Sequence, residues 1–306
     1  MEVRTRFAPS PTGYLHVGGL RTALYNYIYA RQNNGTFILR IEDTDQNRLV
    51  KNATEKLINS IQAFDLNFDE GPMLNECYGP YKQSQRLDIY KPYYLELIKN
   101  NKAYVCIVDK NELIPEHDFN IALNLIEKNQ FVVKLKIPKE RVMSTYDQIR
   151  GKIDFDLNLI EDPIIIKSDG YPTYHFANVI DDYLMKITHV IRGEEWLPSL
   201  PKHILLYEYF GWDLPKFIHL PLLLNFDKSK LSKRQGDVNV DDFLIKGYMK
   251  DAIINFIALL GWHPDNDVEI FSIENLIKSF SVKKIQKSGA IFDIKKLDWM
   301  NSTYIK

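Results

Sequence analysis

VRTRFAPSPTGYLHVGGLRTALYNYI, residues 3–28, is the stretch whose reading decides the fold. Val3, Thr5 and Phe7 alternate with Arg4 and Arg6, as a strand edging a functional cleft would. Pro9 and Pro11 then forbid helix continuation and stiffen a loop, because proline lacks an amide proton and restricts the residue before it. After Gly18 and Gly19, Leu20, Leu24, Tyr27 and Ile28 recur at spacings of four, three and one, which predicts an amphipathic helix beginning near the glycines. Phe37-Ile38-Leu39-Arg40-Ile41 follows as a second strand and ends in the acidic cluster Glu42-Asp43-Thr44-Asp45. Strand, loop, helix and strand within about 40 residues make a βαβ unit, which implies a parallel sheet.

Outward from this unit the pattern changes. Helical segments around Leu87–Lys99 and Phe119–Asn129 precede the β-rich run from Phe131 to Ile137, a mixture that suggests an inserted domain. Strand-like Ile164-Ile165-Ile166 and Val190-Ile191-Arg192, with helical Pro201–Phe210, resume the α/β rhythm. From Val240 onward the chain reads as mostly helical, and the nearly all-apolar Ala252–Leu260 as buried.

Composition bounds the function. A chain of 306 residues has room for roughly two domains. With 45% hydrophobic and 26% charged residues it is neither disordered nor fibrous. Thirty-nine basic residues against 40 acidic ones leave a net charge of -1, so any polyanion partner needs a local basic surface. Cys77 and Cys106 lie far apart without metal-ligand spacing, which argues against a sequence-local zinc site. The charged N-terminus and the lack of a long apolar run predict no membrane span and a place in the cytoplasm or an organelle matrix.

Neither GxxxxGK[ST] nor GxGxxG occurs, so phosphate chemistry would need another device. A helix opening at Gly18-Gly19 aims its unpaired N–H groups at an anion, and His16 just before it can donate to phosphoryl oxygens. A Gly-rich turn with a surface histidine explains the same segment equally well. The second element, Asp227-Lys228-Ser229-Lys230-Leu231-Ser232-Lys233-Arg234-Gln235-Gly236, is a basic loop whose lysines could close over a triphosphate. Read alone it is an exposed charged turn; its weight comes from pairing with the first motif.

HVGG at 16–19 and KLSKR at 230–234, in this βαβ setting, resemble the two signature motifs of class I aminoacyl-tRNA synthetases. Residues 6–13, 40–45, 170–175 and 191–196 narrow the resemblance to the glutamyl-tRNA synthetase family of bacterial and organellar type. The resemblance implies a Rossmann-like parallel-sheet nucleotide-binding domain split by an α+β insertion and followed by a mostly helical stem-contact domain. Residues 1–83 and 173–224 would be the two catalytic halves, 84–172 the acceptor-end-binding insertion, and 225–306 the KLSKR loop and stem-contact helices. It also implies ATP-dependent activation of L-glutamate to glutamyl-adenylate, then transfer to the 3' end of tRNA(Glu), by a monomer.

By the same resemblance, Arg6, Ala8, Ser10, Glu42, Tyr174, Asn178 and Arg192 would bind glutamate, Glu42 holding the α-ammonium. The type fits the task, because a guanidinium grips a planar carboxylate with two parallel bonds. A site for a carboxylate also needs uncompensated positive charge, so Arg192 favours glutamate over glutamine. His16, Gly18, Gly19, Glu195, Leu223, Lys230 and Lys233 would bind ATP, with Glu195 at the ribose and Leu222, Leu223 and Leu224 as the adenine wall. His16, Lys230 and Lys233 would act at the phosphates, and Mg2+ would arrive with ATP rather than on dedicated protein ligands. Asp43 and Asp45 are expected to be structural, including a capping role before the next helix.

Two departures stand out. Ile107 and Val108 follow Cys106, so no zinc is expected, and the arginine-containing Tyr-Asp-Gly stretch common in the insertion is missing. The chain stops just after Leu297-Asp298-Trp299-Met300-Asn301, so the helical anticodon-binding domain is expected to be absent. Lys278, Lys283, Lys284, Lys287, Lys295 and Lys296 outnumber nearby acids and suit RNA, though a solvated helical face is nearly as good an account. Two alternatives are a truncated relative that places glutamate on a modified tRNA base, the glutamyl-queuosine type, and a noncatalytic tRNA-binding paralogue. A zinc cluster would mark the former, and loss of His16, Gly18, Lys230 and Lys233 the latter; neither is seen.

Overall fold

Strand β1 (Arg4–Phe7), helix α1 (Val17–Gln32) and strand β2 (Thr36–Leu39) form the expected opening unit, and β1 pairs with β2 in parallel from Arg4 opposite Thr36 to Phe7 opposite Leu39. The structure, a computed structural model, describes residues 2–306 except 75–76, 110–111, 128–130, 232–238 and 266–267. Helices α2 (Ala53–Ala63) and α3 (Leu87–Lys99) come next. The middle of the chain holds β3 (Ala103–Asp109), β4 (Glu112–Glu116), α4 (Phe119–Glu127), β5 (Phe131–Leu135), β6 (Val142–Asp147), β7 (Gly151–Asp156) and β8 (Ile164–Ile166). Then follow α5 (Tyr174–Leu184), β9 (His189–Gly193), α6 (Leu200–Phe210) and β10 (Lys216–Leu220). The last part comprises β11 (Leu223–Leu224), α7 (Val240–Ile245), α8 (Lys250–Ala258), α9 (Ile273–Ser279), β12 (Ala290–Ile291) and α10 (Ile294–Ile305).

Strand β9 pairs in parallel with β10, and the start of β9 sits beside β1, where Thr188 N donates to Arg4 O at 3.0 Å and Arg4 N to Thr188 Oγ1 at 2.8 Å. Side chains alternate across these strands. Val190, Phe217 and Ile38 enter one apolar core, with Phe176 and Leu205; Ile191, Ile218, Phe37 and Leu39 enter the other, with Leu20, Leu24 and Ile28. A parallel sheet is covered on both faces, so its strands read as nearly continuous apolar runs. Burying each Leu or Ile of α1 contributes about 1.5–3 kcal/mol, which ties that helix to the sheet. Helices α8 and α9 pack on the outside of α1 through the same core, so the helical end of the chain has no separate core of its own.

The stretch expected as an insertion divides between two sheets. Strands β4, β3, β5 and β8 form an antiparallel sheet in that order. Hairpin β6–β7 instead reaches the central sheet, where β6 meets β10 with Asp147 opposite Phe217. Its alternating apolar positions are weak, which is why the hairpin escapes a reading by periodicity: Val142 and Tyr146 are exposed and Met143 is buried. Helix α6 ends at Gly211 with φ of 66°, the left-handed closure that favours glycine. No helix among the described residues is long and apolar enough to cross a membrane.

Candidate active site

The C-terminal edges of β1 and β9 and the start of α1 open on a cleft of about 700 Å³. Parallel α/β sheets place ligand crevices at these strand ends, where loops leave toward helices on opposite faces. Arg6, Ala8, Ser10, His16, Gly18, Gly19, Glu42, Tyr174, Asn178, Arg192, Glu195, Leu223 and Lys230 all line it. Of the residues expected at the site, Lys233 lies outside the described residues.

The start of α1 differs from expectation in one respect. His16 is the N-cap, and its Nδ1 accepts from Gly18 N at 3.1 Å and Gly19 N at 3.3 Å. Those two amides are therefore occupied within the helix cap rather than left for an anion. Since Nδ1 accepts, a neutral ring carries its proton on Nε2, so the imidazole is the donor that the cap presents. The close ring is why residue 18 carries no side chain: a Cβ there would stand 3.0 Å from His16 Cε1.

On the floor, three acids face two arginines and an asparagine. Arg6, 2% exposed, donates Nε and Nη2 to the two oxygens of Asp182 at 2.9 and 3.0 Å. Fully buried Arg40 donates to Asp182 Oδ1 at 2.7 Å and Glu42 Oε1 at 3.0 Å. Asn178 Nδ2 donates to the same Glu42 oxygen at 2.9 Å. Burial by itself would lower the Arg40 pKa, but Asp182, Glu42 and Asp181 outweigh it and hold the guanidinium charged. Burial also raises Glu42, more than Arg40, Asn178 and Arg6 lower it, whereas Arg6 and Arg40 overcome burial at Asp182 and keep that carboxyl below its usual range. Glu42 is thus an acid that gains from a further cation.

Arg192 is held differently. Its Nε donates to His219 Nε2 at 3.0 Å, and its Nη1 to Tyr174 OH at 2.9 Å and His203 Nδ1 at 3.2 Å. Nη2 is buried without any partner. A buried donor left unsatisfied costs about 1–3 kcal/mol, so this atom marks a place for an acceptor. Behind it, Asp147 Oδ2 accepts from His219 Nδ1 at 2.8 Å and from His219 N at 3.0 Å. Burial drops His219 to about 4 despite Asp147, and burial pushes His203 well below its ordinary value.

At the other end of the cleft, Leu222 and buried Leu223 form an apolar wall, while Leu224 pairs across to Lys230 and β12. Asn225 N donates to Ser229 O and Leu231 N to Leu223 O, so a tight turn carries Lys230 back to the wall. Glu195 curls over Gly193, whose missing side chain makes the space: a Cβ there would lie 2.1 Å from Glu195 Oε2. Asp43 accepts from Ser84 N and Oγ at 2.7 Å each, and Asp45 precedes a 3-10 turn without a side-chain cap bond. Asp43 is therefore structural as expected, but by tethering residue 84 rather than by capping.

Residues 2–299 match the family of class I tRNA synthetases (E and Q), catalytic domain. This chain belongs to that family. It is 52% identical to a glutamate–tRNA ligase of Chlorobaculum parvum over all of this chain and 66% of the relative. A glutamate–tRNA ligase of Clostridioides difficile is 48% identical and is covered over 68% of its length. The chain thus spans about two thirds of the curated relatives it matches. Among solved structures, a glutamate tRNA ligase from Elizabethkingia meningosepticum in complex with its amino acid superposes with a TM-score of 0.94 at 40% identity, covering 100% of this chain and 70% of that one. The synthetase fold expected from the motifs is present.

Several site residues escape the sequence reading. Asp182 follows Tyr174 and Asn178 at the same spacing of four on α5, so its place on that helix face was legible. His203, His219 and Asp147 carried no such signal, because they lie far apart in sequence on α6, β10 and β6, and only the fold brings them around Arg192. Among the described residues no group of three or more His, Cys, Asp or Glu could hold a metal ion; Cys106 is buried in β3 and Cys77 is exposed.

Proposed function

We propose that this chain is the catalytic part of a glutamate–tRNA ligase, acting on ATP with its Mg2+, L-glutamate and tRNA(Glu) in the cytoplasm. The observation that carries the reading is the unpartnered, buried Nη2 of Arg192 in a cleft that also holds Glu42. Glutamate has two carboxylates and one ammonium. Arg192 takes the side-chain carboxylate, Arg6 the α-carboxylate and Glu42 the ammonium, with Tyr174 and Asn178 as neutral contacts and Ala8 and Ser10 from the loop. The relatives' names support glutamate–tRNA ligation over transfer to a modified base.

An α-carboxylate oxygen attacks the α-phosphorus of ATP, and the bond to pyrophosphate breaks. A ribose hydroxyl of the tRNA then attacks the acyl carbon and AMP leaves. Rate comes from positioning and from cations aimed at the developing charge. His16 donates Nε2–H at the α-phosphate, Lys230 and Lys233 neutralise the departing phosphates, Glu195 takes the ribose, Leu223 packs the adenine, and Gly18 and Gly19 allow close approach. Residues 225–306 contact the RNA stem through backbone-directed lysines. Glutamate-dependent ATP–pyrophosphate exchange, run with and without total tRNA, tests the reading. Exchange that requires tRNA is expected; Lys233→Ala should lower it far more than it lowers glutamate affinity. No exchange under any condition would overturn the reading.

A further inference from the structure

Buried arginines in this protein are mostly paired with acids: Arg4 with Glu70, Arg6 with Asp182, Arg40 with Asp182 and Glu42, Arg86 with Asp181. Arg21 instead donates to the carbonyls of Leu260 and Pro221. Arg192, 4% exposed, has neither solution. Among the described residues no carboxylate lies within ion-pair distance of it, and its acceptors are a phenol and two imidazoles. The nearest acid along its bonds is Asp147, which is completely buried and stands behind His219.

The protonation of that imidazole follows from its partners. Arg192 Nε can only donate and the Asp147 carboxylate can only accept. A neutral His219 with its proton on Nδ1 satisfies both, while a proton on Nε2 would face the N–H of Arg192. Asp147 also accepts from Ile149 N at 2.9 Å and Arg150 N at 2.8 Å, so the β6–β7 turn fixes it from the far side. The chain Asp147–His219–Arg192 therefore orients a guanidinium through a fixed acceptor without cancelling its charge at close range.

We propose that Asp147 and His219 are positioning residues for amino-acid selection: His219 is a neutral spacer that aims Arg192 while keeping its positive charge available to an anionic side chain. The inference rests on the reading of Arg192 as the grip on the side-chain carboxylate. An acid in direct contact with Arg192 would make the site tolerant of an amide and poor for a carboxylate. Charge pairs this close couple strongly, so the effect should be large.

The test compares wild type, His219→Asp, His219→Gln and Asp147→Asn in tRNA-supported ATP–pyrophosphate exchange, measuring KM for glutamate and for ATP and inhibition by L-glutamine. His219→Asp should raise the glutamate KM by about 30-fold or more and strengthen glutamine inhibition relative to glutamate, with the ATP KM changed by less than about twofold. His219→Gln, which keeps a neutral acceptor, should lie within about tenfold of wild type. Asp147→Asn, which frees the imidazole to take the wrong tautomer, should raise the glutamate KM by about tenfold. A merely structural role would depress stability and raise both KM values without moving the glutamate-to-glutamine ratio, and that pattern would overturn the proposal. If His219→Asp does not fold, unchanged glutamate KM and glutamine inhibition in both other variants would overturn it as well. Failure of wild type to use glutamate at all would instead sink the functional reading on which it rests.

Discussion

Asp182→Asn is the most informative single perturbation of the cleft floor. Asp182 is 2% exposed and accepts three bonds of 2.7–3.0 Å from Arg6 and Arg40. The substitution changes shape hardly at all, yet removes a charge that two buried guanidinium groups share. Breaking a buried pair from one side costs about 3–5 kcal/mol, because the other charge stays buried without compensation. Arg40 retains Glu42, so the cost is set chiefly by Arg6. With about 2.1 cal/mol/K of unfolding entropy per residue, 306 residues convert 3–5 kcal/mol into a fall in Tm of roughly 5–8 °C. Scanning calorimetry measures it, with Glu208→Gln as the control. That residue forms an equally well-aligned bidentate pair with Arg141 at 2.7 and 2.8 Å, but both side chains are about 40% exposed, at 40% and 43%. An exposed pair contributes about 0–1 kcal/mol, a shift of at most about 2 °C. Equal shifts for the two variants would refute the claim that burial, rather than geometry, sets the value of the Asp182 contacts.

Three further expectations can be checked independently. His16→Asn supplies an acceptor for the first turn of α1 but no ring donor, so it should keep the wild-type Tm, lose pyrophosphate exchange by about a hundredfold, and separate from His16→Ala, which also loses about 1 kcal/mol of capping. Wild-type exchange in the asparagine variant would remove His16 from the chemistry. Gly35→Ala would place a Cβ 2.1 Å from the backbone oxygen of Val3, which the Thr36 N bond fixes in place, so β1 and β2 must separate at a cost of about 1–3 kcal/mol; an unchanged urea midpoint would contradict this. His175, His189 and His219 are each held near pKa 4 by burial, against 6.5 when exposed. Their unfolded forms therefore bind protons that the folded forms refuse, and stability is complete above pH 6.5 and declines as pH falls toward 4, by about 3 kcal/mol for each imidazole. A Tm that does not fall between pH 7 and pH 5 would show that these rings are protonated in the folded protein.

Local chemistry in the sequence determined much of this protein. Proline at 9 and 11, glycine at 18 and 19, and the apolar spacing of Leu20, Leu24 and Ile28 suffice for the β1–α1–β2 unit, because each acts through backbone geometry or period within a few residues. The motif residues of the cleft, and the family they belong to, were legible instead through the resemblance of the motifs around residues 6–19, 40–45, 170–175, 191–196 and 230–234. What only the tertiary structure decided is how those residues are charged and held. Hairpin β6–β7 joins the central sheet, although its sequence lies within the expected insertion, and so carries Asp147 behind His219. Asp182 takes Arg6 and Arg40 together, the His16 ring turns back onto its own helix, and Arg192 is left among neutral acceptors. No period or spacing encodes these contacts, because burial and the pairing of distant strands set the electrostatics of a buried site, and both exist only once the chain has folded.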